Sequence, residues 1–204
     1  MIRTLLAASL LCLTTLPAPA ESLSKTYSYF SVGGTTLAEL EDQLNRRGPH
    51  VKSTGRRHPG ATQMQFNTRL GYAEKGGYCR VTEAIVTVKA KVILPRWRQR
   101  GNAGQDVRLI WDTLSGDIKR HEEQHVLIAQ SHARDLERKL LRLGRQKSCA
   151  IATQKAKMTA DRLLDKHDKA QARFDQVESA NFEKRMLKLL RARIKMIESG
   201  QIEG

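Results

Sequence analysis

The sequence predicts an α+β fold: an N-terminal antiparallel sheet with one short helix, then a long helix packed antiparallel on a second long helix. Three observations predict it. Apolar and polar residues alternate through 62–72 and 79–94, the period of a half-buried strand. Apolar residues recur three and four apart through 105–143, the period of an amphipathic helix. The chain is 204 residues long, enough for one core plus a helical extension but short for a multidomain enzyme. Hydrophobic residues make up 40% and charged residues 28%, which excludes wholesale disorder.

Residues 1–20 read as an export signal. Met1-Ile2-Arg3 gives a positive start, Leu5 to Leu16 an apolar run, and Ala18-Pro19-Ala20 a small-residue cleavage pattern, with cleavage expected after Ala20. The run is shorter than the roughly 20 residues a membrane span needs, and no other stretch approaches that length. A periplasmic or secreted protein is expected. Removal of Cys12 with the signal leaves Cys79 and Cys149, and an even pair in an exported chain points to a disulfide rather than a metal site or a nucleophile. The competing reading is two unpaired buried thiols.

In the mature chain, 27–32 alternates aromatic and small residues until Gly33-Gly34 breaks it. Thr35-Thr36 then opens an amphipathic segment with Leu37, Leu40 and Leu44, ended by Gly48-Pro49. Residues 50–60 form a basic loop with Gly, Pro and His. Strands are expected at 62–72, through Met64, Phe66 and Leu70, and at 79–94, through Val81, Ala84, Val86 and Val88, joined by a Gly76-Gly77 turn. The first long helix carries Ile110, Leu114, Ile118, Ile128, Leu136 and Leu140 and stops at Gly144; the second runs from about 149 to 199. The domain is expected over 21–182, and 183–204 as a basic helical tail projecting from it.

The chemistry lies in the first long helix, at His121-Glu122-Glu123-Gln124-His125. Side chains four apart on a helix share a face about 6 Å apart, so two imidazoles can take neighbouring positions on one tetrahedral Zn²⁺. Glu122 is one step round, within reach of a water at such an ion. Zinc lowers the pKa of that water towards about 7, and a carboxylate there accepts its proton during attack on a carbonyl. This is the H-E-x-x-H arrangement of zinc peptidases. Both histidines are expected on the inward face with Leu114, Ile118 and Ile128, where unpartnered imidazoles are costly to bury. The competing reading is two core histidines with ordinary hydrogen bonds. Glu123, about 200° round from His121, is expected as a solvated charge.

A third protein ligand is required. The metzincin pattern fails, because Ile128 and Ser131 stand where it requires Gly and His. His132 would lie about 10 Å along the helix from His125, too far to share the ion, and is expected as a core or supporting residue. If the two helices form an antiparallel hairpin, the level of His121 and His125 meets roughly 167–175, where His167, Asp168 and Asp175 are candidates. His167 shares a stripe with Leu163, Ala170, Phe174 and Val177; Asp168 and Asp175 share the adjoining face with Leu164 and Gln171.

Several of these features occur together: Cys79 and the strand ending Leu94-Pro95-Arg96-Trp97, the Arg120-His121-Glu122-Glu123-Gln124-His125 helix, Cys149, and Phe174-Asp175. In this the chain resembles, over about residues 25–180, a bacterial family of predicted secreted zinc-dependent proteases catalogued as a domain of unknown function. The resemblance implies a zincin-like metallopeptidase with one Zn²⁺, His121 and His125 as ligands and Glu122 as base. Relatives follow an aromatic-Asp pair with Thr and then His-Gly; this chain has Glu178 in place of the Thr and Ala180-Asn181 in place of the His-Gly. The third ligand is therefore Asp175, which the resemblance reaches, with His167 as the alternative.

In such enzymes an edge strand pairs with extended substrate, and 79–94 is the candidate, a plain structural hairpin being equally consistent. The charge adds a second expectation. With 36 Lys+Arg against 21 Asp+Glu the formal net charge is +15, clustered at Arg46, Arg47, Lys52, Arg56 and Arg57, at Arg96, Arg98 and Arg100, and along the last helix. An exported chain of that charge attracts anionic envelope polymers, membrane surfaces or acidic substrates. Nucleic acid is not expected, since aromatics are 5% and no binding module appears. Two functions follow: a zinc peptidase acting on peptide or protein substrate, or a non-catalytic exported basic helical protein that binds metal or anionic envelope components.

Overall fold

The structure is a computed structural model that describes residues 23–52 and 54–203. The expected export signal at 1–20, with Cys12, lies outside the described residues. The element order is β1 (Leu23–Val32), α1 (Leu37–Arg47), β2 (His50–Val51), β3 (Arg56–Arg57), β4 (Ala61–Lys75), β5 (Tyr78–Trp97), α2 (Gln105–Leu141), α3 (Cys149–Ala180) and α4 (Phe182–Glu198). The fold is α+β. Among the described residues no helix is long and apolar enough to cross a membrane.

The sheet is mixed rather than antiparallel. Its order is β1-β5-β4, with β4 antiparallel to β5 across the Gly76-Gly77 turn and β1 parallel to β5, Leu23 opposite Val88 and Val32 opposite Trp97. Alternation reveals a strand but not its direction, and the chain returns from β1 through α1 and the small β2–β3 hairpin before entering β4. One consequence corrects the substrate-strand expectation. Residues 79–94 belong to the central strand, with both edges already bonded, so the edges of this sheet are β1 and β4.

Burial along β5 shows why the sheet needs a helical partner. Val86, Val88, Ala90, Val92 and Leu94 are buried on one face, while Lys89 and Lys91 between them face solvent. The apolar row packs on α2 and α3 through Ala129, Ala133, Leu136, Leu140, Ala156 and Leu163, and continues to Ile118 and Val126. A third cluster joins Leu40 and Leu44 of α1 to Val32, Trp97 and Trp111. Helix α1 starts at a capping box, Thr36 with Glu39, as its sequence suggests.

Helix α2 lies between two partners and so has two inward faces. Ile118, Glu122, Val126 and Ala129 are buried towards the sheet. His121, His125 and His132 lie on a second side, towards α3. A single inward stripe holding both histidines and Ile118 is thus too simple. Glu123 also departs from expectation: it accepts a hydrogen bond from the Tyr27 hydroxyl and pairs with Lys25 at 3.6 Å, tying α2 to β1.

The second long helix is broken. Asn181 interrupts it, its side-chain amide donating to the Val177 carbonyl at 2.8 Å in competition with the helical backbone. Val177 is exposed and does not extend the buried stripe of Leu163 and His167. Beyond the break α4 continues along α2 towards its N-terminal end, where Arg185 reaches the buried Asp117 at 3.0 Å and Arg193 reaches Asp112 at 3.1 Å. Cys79 and Cys149 form a disulfide that joins the start of β5 to the start of α3. The same junction is held by paired backbone bonds between Cys79 and Gln146.

Candidate metal centre

Helix geometry places His121 and His125 one turn apart, and the α2–α3 hairpin brings Asp175 to the same level. His121 Nε2 is 3.1 Å from His125 Nε2 and 3.3 Å from Asp175 Oδ1, and His125 Nε2 is 3.0 Å from that oxygen. Ligands about 2.0–2.1 Å from a tetrahedral zinc lie about 3.3 Å apart. The three atoms therefore fit three corners of a zinc tetrahedron. Asp175 is half exposed, so the cluster is open to solvent on the α3 side.

The outer nitrogens are held as well. His125 Nδ1 is 2.6 Å from Gln171 Oε1, and His121 Nδ1 is 3.5 Å from Glu178 Oε2. An acceptor beside each Nδ1 turns the ring so that its Nε2 points towards Asp175 Oδ1, the arrangement by which proteins orient imidazole ligands. Phe174 buttresses both rings, stacked on His121 at 4.9 Å and edge-on to His125 at 5.1 Å.

Charge follows the same logic. Burial alone would raise the Asp175 carboxyl, but the hydrogen bonds from His121 and His125 outweigh it and hold the group well below the usual carboxylate range. Burial alone would lower His125; the bonds to Asp175 and Gln171 outweigh it and raise that imidazole. An ionised oxygen set between two imidazoles is a donor set suited to a borderline cation such as Zn²⁺.

Glu122 occupies the sheet side of the same turn. It is buried, and burial pushes its carboxyl up despite the Thr62 hydroxyl 2.8 Å from Oε2. Gly60, which precedes β4, passes so close that a Cβ there would sit 2.8 Å from both Glu122 Oε1 and Ile118 Cγ2. Glu122 and His121 open into a cleft of about 360 Å³ whose walls include His58, Pro59, Ile118, Ser179 and Phe182. Burial lowers the His58 imidazole, and its Nε2 is 2.7 Å from the Thr54 hydroxyl.

The other candidates lie elsewhere. His167 is buried about two turns before Asp175 on α3, with Nδ1 3.0 Å from Asp168, Nε2 2.8 Å from Gln171 and its ring against Phe66 and His132. It supports Gln171 rather than joining the donor cluster. Asp168 is largely exposed. His132 is 2.9 Å from the Ile128 carbonyl. Gln171, Glu178, Thr62, His58 and Arg185 were not anticipated as part of the site. A signal existed for two of them: Gln171, Asp175 and Glu178 are spaced four and three apart, one helical face. Nothing in the sequence ties Arg185 to the site; beyond Asn181 it reaches Asp117 and, at 3.4 Å, Glu178.

No curated protein and no solved structure gives a significant match to the chain. A family described as "Bacterial protein of unknown function (DUF922)" matches residues 27–182, a stretch that holds β4, β5, α2, α3 and every member of the donor cluster. The chain belongs to this bacterial family.

Proposed function

We propose that the protein is a zinc-dependent peptidase of the cell envelope or exterior, with His121, His125 and Asp175 as ligands and Glu122 as general base. The observation that carries the reading is the convergence of two Nε2 atoms and a carboxylate oxygen within 3.0–3.3 Å, beside a buried glutamate at an open cleft. A zinc ion held there supplies Lewis acidity and brings the pKa of a water towards about 7. Glu122, destabilised as an anion by burial, accepts the proton from the attacking water and returns it to the leaving amine. Thr62 fixes which way that carboxylate faces. Gln171 and Glu178 hold the imidazoles, so little reorganisation is needed during reaction.

Substrate binding is assigned to β4. Its outer edge is unpaired among the described strands, and its first residues, next to Gly60, run past Glu122. An extended peptide added to that edge brings its carbonyls to the cleft through backbone bonds alone, which suits a peptidase. The Cys79–Cys149 disulfide supports an oxidising compartment.

The test is metal analysis of purified protein together with casein or peptide hydrolysis by wild type and Glu122→Gln. The expected result is about one zinc per chain in both, with hydrolysis only in wild type. Protein that retains no zinc after metal-replete preparation sinks the reading, and unchanged hydrolysis by Glu122→Gln removes that residue from its role.

A further inference from the structure

Helix α4 lies beyond the family match at residue 182, and the donor cluster does not use it. It touches the domain along a narrow line. Arg185 and Arg193 reach Asp117 and Asp112 of α2, and Leu189 sits with them at the α2 contact. At 100° per residue that line occupies one third of the helix surface. A second third carries Leu187, Leu190, Ile194 and Ile197, with Glu183 and Glu198 at its two ends; Leu187 is 49% and Ile194 39% exposed. The remaining third carries Lys184, Lys188, Arg191 and Lys195, all exposed, along a shallow groove of about 920 Å³. None of the residues of α4 is fully buried.

We infer that the outer face of α4 is a docking surface for anionic phospholipid bilayers. An apolar row beside a row of four cations on one helix is the pattern of helices that lie in a membrane interface, with hydrocarbon taking the first and headgroups the second. A soluble polyanion would satisfy the cations but leave Leu187 and Ile194 in water. Nucleic acid would want stacking aromatics, and the only one on this helix is Phe182 at its first position. A second copy of the chain is disfavoured by charge, since each carries a formal +15. A bilayer accounts for both rows. Because Phe182 and Arg185 also wall the cleft beside His121, a docked α4 would hold that cleft close to the membrane. The docking itself does not depend on peptidase activity.

The test is co-sedimentation of protein lacking residues 1–20, which removes none of the described fold, with vesicles of phosphatidylcholine alone or with one-third phosphatidylglycerol. Wild type should bind the anionic vesicles at least about tenfold more tightly, and added salt should weaken binding. Two variants read the two rows, with circular dichroism as the check on folding: Leu187→Ser with Ile194→Ser, and Lys184, Lys188, Arg191 and Lys195 each →Gln. Each should lose about tenfold or more. Equal binding to both vesicle types overturns the inference, as does binding indifferent to the leucine and isoleucine changes, which would mark adsorption by net charge alone. Failure to bind vesicles, with a dimer in sedimentation equilibrium that Leu187→Ser with Ile194→Ser dissolves, overturns it in favour of self-association.

Discussion

Gln171 Oε1 lies 2.6 Å from His125 Nδ1, and the same amide donates from Nε2 to the His125 carbonyl oxygen at 3.1 Å. One side chain thus fixes a ring and the backbone beneath it, and His167 at 2.8 Å fixes the amide in turn. Supporting contacts of this kind are worth about 10–100-fold in metal affinity. Gln171→Leu should therefore weaken zinc binding by about that factor while the fold persists, as read by competition with a chelating dye. Unchanged affinity would show that Gln171 does not hold the His125 ring for the metal.

Glu122→Gln should reduce peptide hydrolysis by about 10²–10⁴-fold, the usual contribution of a positioned acid or base. Zinc content should stay unchanged, because Glu122 is not in the donor cluster. Replacing Asp175 with Ala should instead lower zinc content. The two variants together separate proton transfer from metal binding.

Gly60→Ala tests the approach of the chain to the Glu122 turn of α2. A Cβ 2.8 Å from Glu122 Oε1 and Ile118 Cγ2 meets two buried side chains with little room to retreat. Overpacking of this kind costs about 1–3 kcal/mol. Lower stability in urea is expected, together with lower hydrolysis as Glu122 is displaced.

Cys79→Ser should destabilise the fold. The disulfide spans 70 residues, and on the chain-entropy model such a loop contributes about 4 kcal/mol. Urea denaturation of the variant, or of wild type under reducing conditions, measures it.

The contribution of His167 to the stability of the metal-free protein should fall as the solution is acidified through the ordinary imidazole range, opposite in sign to that of His125, whose imidazole is raised. Burial lowers the pKa of His167 from 6.5, so the folded state holds a neutral ring that the unfolded chain protonates first. Its share of stability is complete above the unfolded pKa and is lost as pH falls towards the folded one. His167→Gln should flatten the slope of stability between about pH 6.5 and that lower pKa. An unchanged slope would assign it to other groups.

The sequence by itself determined the elements that depend on local pattern. Alternation marked β4 and β5, a capping box marked α1, and three-four periodicity marked α2 with two imidazoles and a glutamate on one turn. Those properties are set by neighbours within a few residues, so one chain suffices to read them. Only the packed chain shows that β1 runs parallel to β5, that 79–94 is central and β4 an edge, and that the second long helix breaks at Asn181 with Arg185 set on Asp117. It also separated two candidates: helix phase puts His167 on the stripe facing α2 and Asp175 on the adjoining face, yet the packed rotation of α3 brings Asp175 to the two Nε2 atoms and turns His167 onto Gln171. Strand direction, edge position and helix rotation are set by contacts between residues 40 to 70 apart, whose energies no local pattern encodes.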